Sequence, residues 1–249
     1  MTTPGARGGR DADVAEALVT LADTLVADYD VVDLMDRLVT TAMHLLDGAA
    51  GGVLLRDQRG GLQLVASSTE EMRLLELFQL QNHEGPCLDC IAQDTTISVD
   101  DLAEAASRWP RFTAEARRAG FRSVHAVPMR LRDEVIGGLN LFQTDQRPLG
   151  PREKRVAQAL ADIATIGVLQ QRSVHRAALL AEQLQSALDT RIAIEQAKGV
   201  VAVVAGVDMD TAYRRIRRYA RDHNLTMGAV SAAVVNGDDV VRAVADLPD

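Results

Sequence analysis

Gly52-Val53-Leu54-Leu55-Arg56, Asp57-Gln58-Arg59-Gly60-Gly61 and Leu62-Gln63-Leu64-Val65-Ala66 run on without a break, and their period differs from that of the residues before them. Two short apolar runs flank a loop with two glycines, a pattern that predicts a β-hairpin. Upstream, Val14, Leu18, Leu21, Leu25 and Val26 carry helical spacing and predict an amphipathic helix over 13–28. Leu34, Leu38, Ala42 and Leu45 predict a second over 31–46. Helices at the ends and hairpins between them define an α+β class with an antiparallel sheet.

Downstream, Ser68 and Glu71 suit a capping box for a helix reaching about Gln81. The stretch 82–106 reads as irregular apart from a short strand over 96–99, and 110–119 reads as a short helix. Val124–Leu131 and Val135–Phe142 are two more strands, joined at Arg132-Asp133-Glu134. Pro148, Gly150 and Pro151 then punctuate the chain, with Pro151 suited to the first turn of a helix. From there to Ala205 there is no proline and only Gly167 and Gly199. That is roughly 55 helix-compatible residues against a mean helix of about 11–12.

Leu180, Leu184, Leu188 and Ile192 form a stripe beside Ala177, Ala187 and Ile194, which predicts a coiled-coil connector over 172–189. A strict heptad would put Arg191 and Lys198 on the seam, so the coil is expected to end or splay near them. Asp208 can cap a helix over 209–222 that Asn224 ends, and Thr226 a last one over 227–235 closed by Asn236-Gly237.

With 47% apolar residues the chain can bury a real core, and with few aromatics that core rests on Leu, Val, Ile and Ala. A net charge of −8 disfavours indiscriminate binding to nucleic acid or anionic lipid, which makes any cationic patch a local feature. Two cysteines make no disulfide framework at this length. Residues 1–12 are expected to be a disordered N-terminus and lack the apolar core of a signal peptide. No window reaches the ~18 apolar residues of a membrane span, so a soluble cytoplasmic protein is expected.

The local cationic patch lies in Thr190–Gly199 and Asp210–Arg221. Tyr213, Ile216 and Ala220 are expected to face a helical core, leaving Arg214, Arg217, Arg218 and Arg221 as an outward stripe. Guanidinium forks at that spacing suit phosphate oxygens, although a solvated face tied to Asp208, Asp210 and Asp222 is the bland alternative. Arg191 and Lys198, seven apart, project from one side of the long helix, unless Arg191 is a polar coil residue that sets register. A helix-turn-helix bound to DNA is the nearest competitor. Its reading helix, Met227–Val235, has no Arg, Lys, Gln or Asn to contact base edges.

Cys87-Leu88-Asp89-Cys90 is a C-x-x-C that serves either as a thiol sensor or as two cysteines with no redox role. A zinc site would need further ligands, with His83 and His125 the obvious ones. Trp109 and Phe112 either line a pocket or pack in the core, and His44 is expected to pack on an apolar helix face. No paired carboxylates, nucleophile triad or phosphate-cradling loop is recognisable, so no enzymatic activity is expected.

The first part of the chain, over 13–171, resembles a GAF domain. The likeness rests on element order and on Glu84-Gly85-Pro86-Cys87, Ser123–Met129 and Ile136–Phe142. The last part, over 178–236, is similar to the ANTAR domain in Leu188–Arg191, Ile194–Gly199, Ala212-Tyr213, Ile216-Arg217 and Ala220. These resemblances imply an α+β protein with an antiparallel-sheet GAF-like sensor domain, a coiled-coil connector and a three-helix ANTAR-like bundle. A C-terminal tail over 237–249 would follow. They imply a signal-responsive regulator that binds hairpins in nascent transcripts and prevents termination, and the coiled coil is expected to make it a homodimer. Arg191, Lys198, Arg214, Arg217, Arg218 and Arg221 would hold RNA. Cys87, Cys90, Trp109, Phe112 and His125 would form the sensor pocket or redox site. No metal, cofactor or membrane is implied, and a small-molecule ligand of the sensor stays open.

Overall fold

The computed structural model of the chain describes residues 4–25 and 29–248, with residues 4–10 by backbone alone. Two compact units emerge, Met1–Arg172 and Ser173–Asp249. The first begins with helices α1 (Pro4–Thr24) and α2 (Val31–Leu46). Helix α1 thus starts inside the stretch expected to be disordered, and Val26, expected on its apolar face, lies outside the described residues. Strands β1 (Ala50–Arg56) and β2 (Leu62–Ser67) form the hairpin that the opening stretch predicts.

Helix α3 (Glu70–Asn82) is capped by Thr69, whose side chain accepts from Met72 N, rather than by Ser68. Ser68 Oγ is taken by Gly51 N at 2.9 Å, across the hairpin, so it is not free to cap. Helix α4 (Pro86–Gln93) replaces the expected irregular loop. Strand β3 (Ile97–Val99), a 3-10 turn (Leu102–Ala105), α5 (Pro110–Arg118), β4 (Ser123–Leu131) and β5 (Glu134–Gln143) complete the unit. The order β2-β1-β5-β4-β3 makes one antiparallel sheet.

Successive strand residues point to opposite sheet faces, and both faces are covered. Val53, Leu55, Val127, Met129, Leu139 and Leu141 pack with α1, α2 and the start of the long helix α6 (Pro151–Ala205). Leu54, Val124, Ala126 and Phe142 face α3, α4 and α5 instead. Double coverage explains why these strands read as apolar runs rather than as clean alternation.

Helix α6 is a single helix of 55 residues, as the absence of proline predicted. Residues 173–205 of α6 belong to the second unit, with α7 (Met209–Asp222), α8 (Met227–Val235) and α9 (Val240–Ala245). Ala197, Val201, Ala212, Ile216, Ala220, Val230, Val234 and Val244 form its core. The residues expected to be a tail therefore add a helix to the bundle, because Val244 and Ala245 find apolar cover there.

Candidate nucleic-acid interface

Asp208 starts α7, accepting from Asp210 N and Thr211 N at 2.9 and 2.8 Å. Those backbone bonds and one from the Thr211 hydroxyl hold its carboxyl below the usual carboxylate range. Ala212, Ile216 and Ala220 recur every four residues and are buried. Tyr213, expected in that core, is 38% exposed instead, because Ala212 already occupies the inward position. Its ring stands 5.9 Å from Lys198 Nζ, close enough for a cation–π contact between α7 and α6. Lys198 also pairs with Glu195 at 2.8 Å.

The arginines of α7 divide by environment. Arg214, Arg217 and Arg221 are exposed. Arg214 Nη2 donates to Thr211 Oγ1 at 2.8 Å, and Arg221 lies 3.5 Å from Asp222, an exposed pair of little energetic weight. The Arg217 side chain makes no hydrogen bond or ion pair within the described residues, and neither does that of the exposed Arg191 on α6. Arg218 is half-buried, and its Nη1 donates to Pro248 O at 2.6 Å. Arg215 is also half-buried and donates to Ala245 O. Of the stripe expected to be free, Arg218 is thus already engaged by the chain itself. On α8 the exposed residues include Ala229, Ala232 and Val235, a surface without donors for base edges.

In the first unit the five expected sensor residues do not converge. Cys87, Cys90, Trp109 and Phe112 are buried on the α4–α5 side of the sheet. His125 pairs with Leu141 across β4 and β5, so it faces the other side, where its Nε2 lies 3.3 Å from Arg147 O. Burial pulls its imidazole pKa down. Trp109 and Phe112 meet edge to face at 6.3 Å as part of the core. Among the described residues no group of three or more His, Cys, Asp or Glu is placed to hold a metal ion.

The C-x-x-C lies on α4, with Pro86 in its first turn, where sequence reasoning expected a loop. Gly85 precedes it at φ 152°, a backbone that favours glycine, and a Cβ there would come within 2.1 Å of Gln79 Oε1. Gln79 Oε1 in turn accepts from Cys87 N at 3.2 Å. Burial pushes the Cys87 thiol well up and Cys90 up to about 12. A sensing thiol needs the opposite, an accessible sulfur with a lowered pKa.

A buried carboxyl beside this motif was not singled out from the sequence, where Glu76 looks like any helix surface residue. It is fully buried, with Asn140 Nδ2 donating to Oε1 at 2.5 Å and Gln79 Nε2 to Oε2 at 2.9 Å. Burial lifts its pKa from 4.5 to about 8, with the Asn140 bond opposing. The folded chain therefore keeps this proton in a range where the unfolded chain has lost it. Its contribution to stability is complete below pH 4.5 and declines as pH rises through about 8, by on the order of 5 kcal/mol in all. Melting temperatures recorded from pH 5 to 9 are expected to fall in the native chain and to lose most of that slope in Glu76→Gln. Equal slopes in both would remove Glu76 as the cause.

Comparison with known proteins agrees with this architecture. The GAF domain profile matches residues 28–168, and the ANTAR domain profile matches residues 182–235. No curated protein matches the chain. Among solved structures, the GAF domain of an Acinetobacter phosphoenolpyruvate-protein phosphotransferase is similar, with 14% identity and a TM-score of 0.52. The match covers 64% of this chain and 95% of that one. The corresponding Coxiella burnetii domain gives 15% identity and a TM-score of 0.53 over 66% of this chain and 98% of that one. Free methionine-R-sulfoxide reductase from Neisseria meningitidis gives 16% identity and a TM-score of 0.50, covering 65% and 91%. At such identities the likeness extends to the fold alone. No helix among the described residues is long and apolar enough to cross a membrane.

Proposed function

The chain belongs to the GAF domain family and carries an ANTAR domain over residues 182–235, and from that premise we propose that it is a signal-responsive, RNA-binding antitermination regulator. It captures hairpins in nascent transcripts and thereby keeps a terminator from forming. The observation that carries this reading is the exposed row Arg214, Arg217 and Arg221 on α7 of an acidic protein. Three guanidinium groups at i, i+3 and i+7 follow one helix face and suit successive phosphates. Arg191 adds an exposed cation on α6, and Tyr213 offers an aromatic face on which an unpaired loop base can stack.

The active species in this reading is a homodimer through α6. Leu180, Leu184, Leu188 and Ile192 are each 55–58% exposed in a single chain, a run of apolar side chains that a second copy would cover. Two bundles in one dimer raise each other's effective concentration on paired hairpins. The GAF unit supplies the input, with a small molecule as one form of signal, and the role places the protein in the cytoplasm. The arrangement serves regulation rather than catalysis.

Filter binding of a hairpin RNA across a salt series tests the reading. Phosphate-dominated capture weakens linearly in log–log form, with a slope of roughly −0.9 per phosphate contact. With three or four contacts the slope should lie near −3. Undetectable or salt-indifferent binding would count against RNA as the partner.

A further inference from the structure

Pro248, beyond α9, meets the same helix that the proposed function assigns to RNA. Helix α9 is anchored in the bundle core by Val244 and Ala245. Beyond it come Asp246, Leu247 and Pro248, with Leu247 half-buried. Arg215 donates to Ala245 O, the last carbonyl of α9, and Arg218 donates to Pro248 O at 2.6 Å. Carbonyls at a helix end lack intrahelical donors, so guanidinium groups are natural partners for them. The closing residues also carry Asp238, Asp239, Asp246 and Asp249 against one Arg242. An acidic segment offering backbone oxygens to an arginine helix presents the acceptor chemistry of a phosphate backbone in weaker form.

We propose that residues 246–248 form an autoinhibitory strap that withholds Arg218 from RNA until it is displaced. This inference rests on the RNA reading above and adds a regulated component to it. In the resting chain Arg214, Arg217 and Arg221 make the first phosphate contacts, while Arg218 stays on Pro248 O. Releasing the strap exchanges a neutral carbonyl acceptor for a phosphate oxygen, a stronger charge-assisted partner. Arg215 behaves differently, because its acceptor belongs to the anchored helix and holds α9 in place.

The test is the double variant Leu247→Gly/Pro248→Gly, which keeps chain length and charge while removing the half-buried anchor and the fixed backbone angle. Arg218→Gln is then made in the native and the loosened chain, and the full proteins are compared for hairpin binding across salt. The loosened chain is expected to bind roughly three- to tenfold tighter, with a salt slope steeper by about 0.9. Arg218→Gln is expected to abolish the gain in the loosened chain, a distinctly larger loss than it causes in the native one. Circular dichroism melts establish that every variant is folded. Equal affinity and slope in native and loosened chains overturn the strap but not RNA binding. An equal loss from Arg218→Gln in both chains does the same. Hairpin binding by neither chain overturns the strap together with the reading beneath it.

Discussion

Charge reversal at two α7 positions, R217E/R221E, is expected to reduce hairpin affinity by on the order of 10²–10³-fold near physiological salt. Each substitution removes a guanidinium that can fork onto a phosphate and sets a carboxylate in its place. The pair therefore loses two attractions and gains two repulsions. Both side chains are exposed, and neither touches the core formed by Ala212, Ile216 and Ala220. The one ion pair lost, Arg221 with Asp222, is a surface pair. Stability should therefore move by no more than about 0.5 kcal/mol. Filter binding beside a thermal melt separates the two effects. If hairpin capture persists in a folded R217E/R221E protein, α7 is not the RNA-binding surface.

The second large effect concerns the sensor fold. Gly137 opens the Gly137-Gly138 pair on β5, opposite Leu55 on β1. A Cβ built at Gly137 would stand 2.1 Å from Leu54 O and 2.7 Å from Leu55 Cδ2. The leucine side chain can turn away, but the carbonyl cannot. Strand β1 is held on one side by β2 and on the other by β5, so its backbone has no direction in which to yield. Gly137→Ala is expected to cost about 3 kcal/mol or more through overpacking against backbone. That corresponds to a fall of roughly 6–12 °C in the melting temperature of a unit this size. Calorimetry provides the check, and an unchanged transition would mean that β1 and β5 do not pair in this register.

Much of this architecture was legible in the chain because it rests on local pattern. The hairpin at β1–β2, the α6 run and the Asp208 and Thr226 caps follow from period, turn residues and the absence of proline. What escaped depends on competition in space. Ser68 and Thr69 are both fit to cap α3, and the choice is made by Gly51 N, a partner 17 residues away. Tyr213 and Ala212 compete for one inward position, and spacing alone does not say which wins. The C-x-x-C looked like loop because its helix is only eight residues long, too short to show a period.

The candidate interface was legible as a set of arginines but not as two subsets. Arg217 and Arg218 are neighbours on one helix, yet one is exposed while the other reaches Pro248, some 30 residues later in the chain. Long-range acceptors of this kind leave no periodic trace. Glu76 was missed for a related reason. The residues that hydrogen-bond it, Asn140 and Gln79, come from β5 and from the next turn of α3.

Trp109 is the chain's one tryptophan, and it is sealed in the first unit with its indole N–H on Asp89 at 3.1 Å. Fluorescence excited at the red edge of the indole band therefore reports on the first unit alone, while the second unit stays dark. Far-ultraviolet ellipticity, dominated by helices, sums both units. Overlaid during denaturation, the two signals distinguish a sensor that gives way first from a chain that loses both units in one cooperative step.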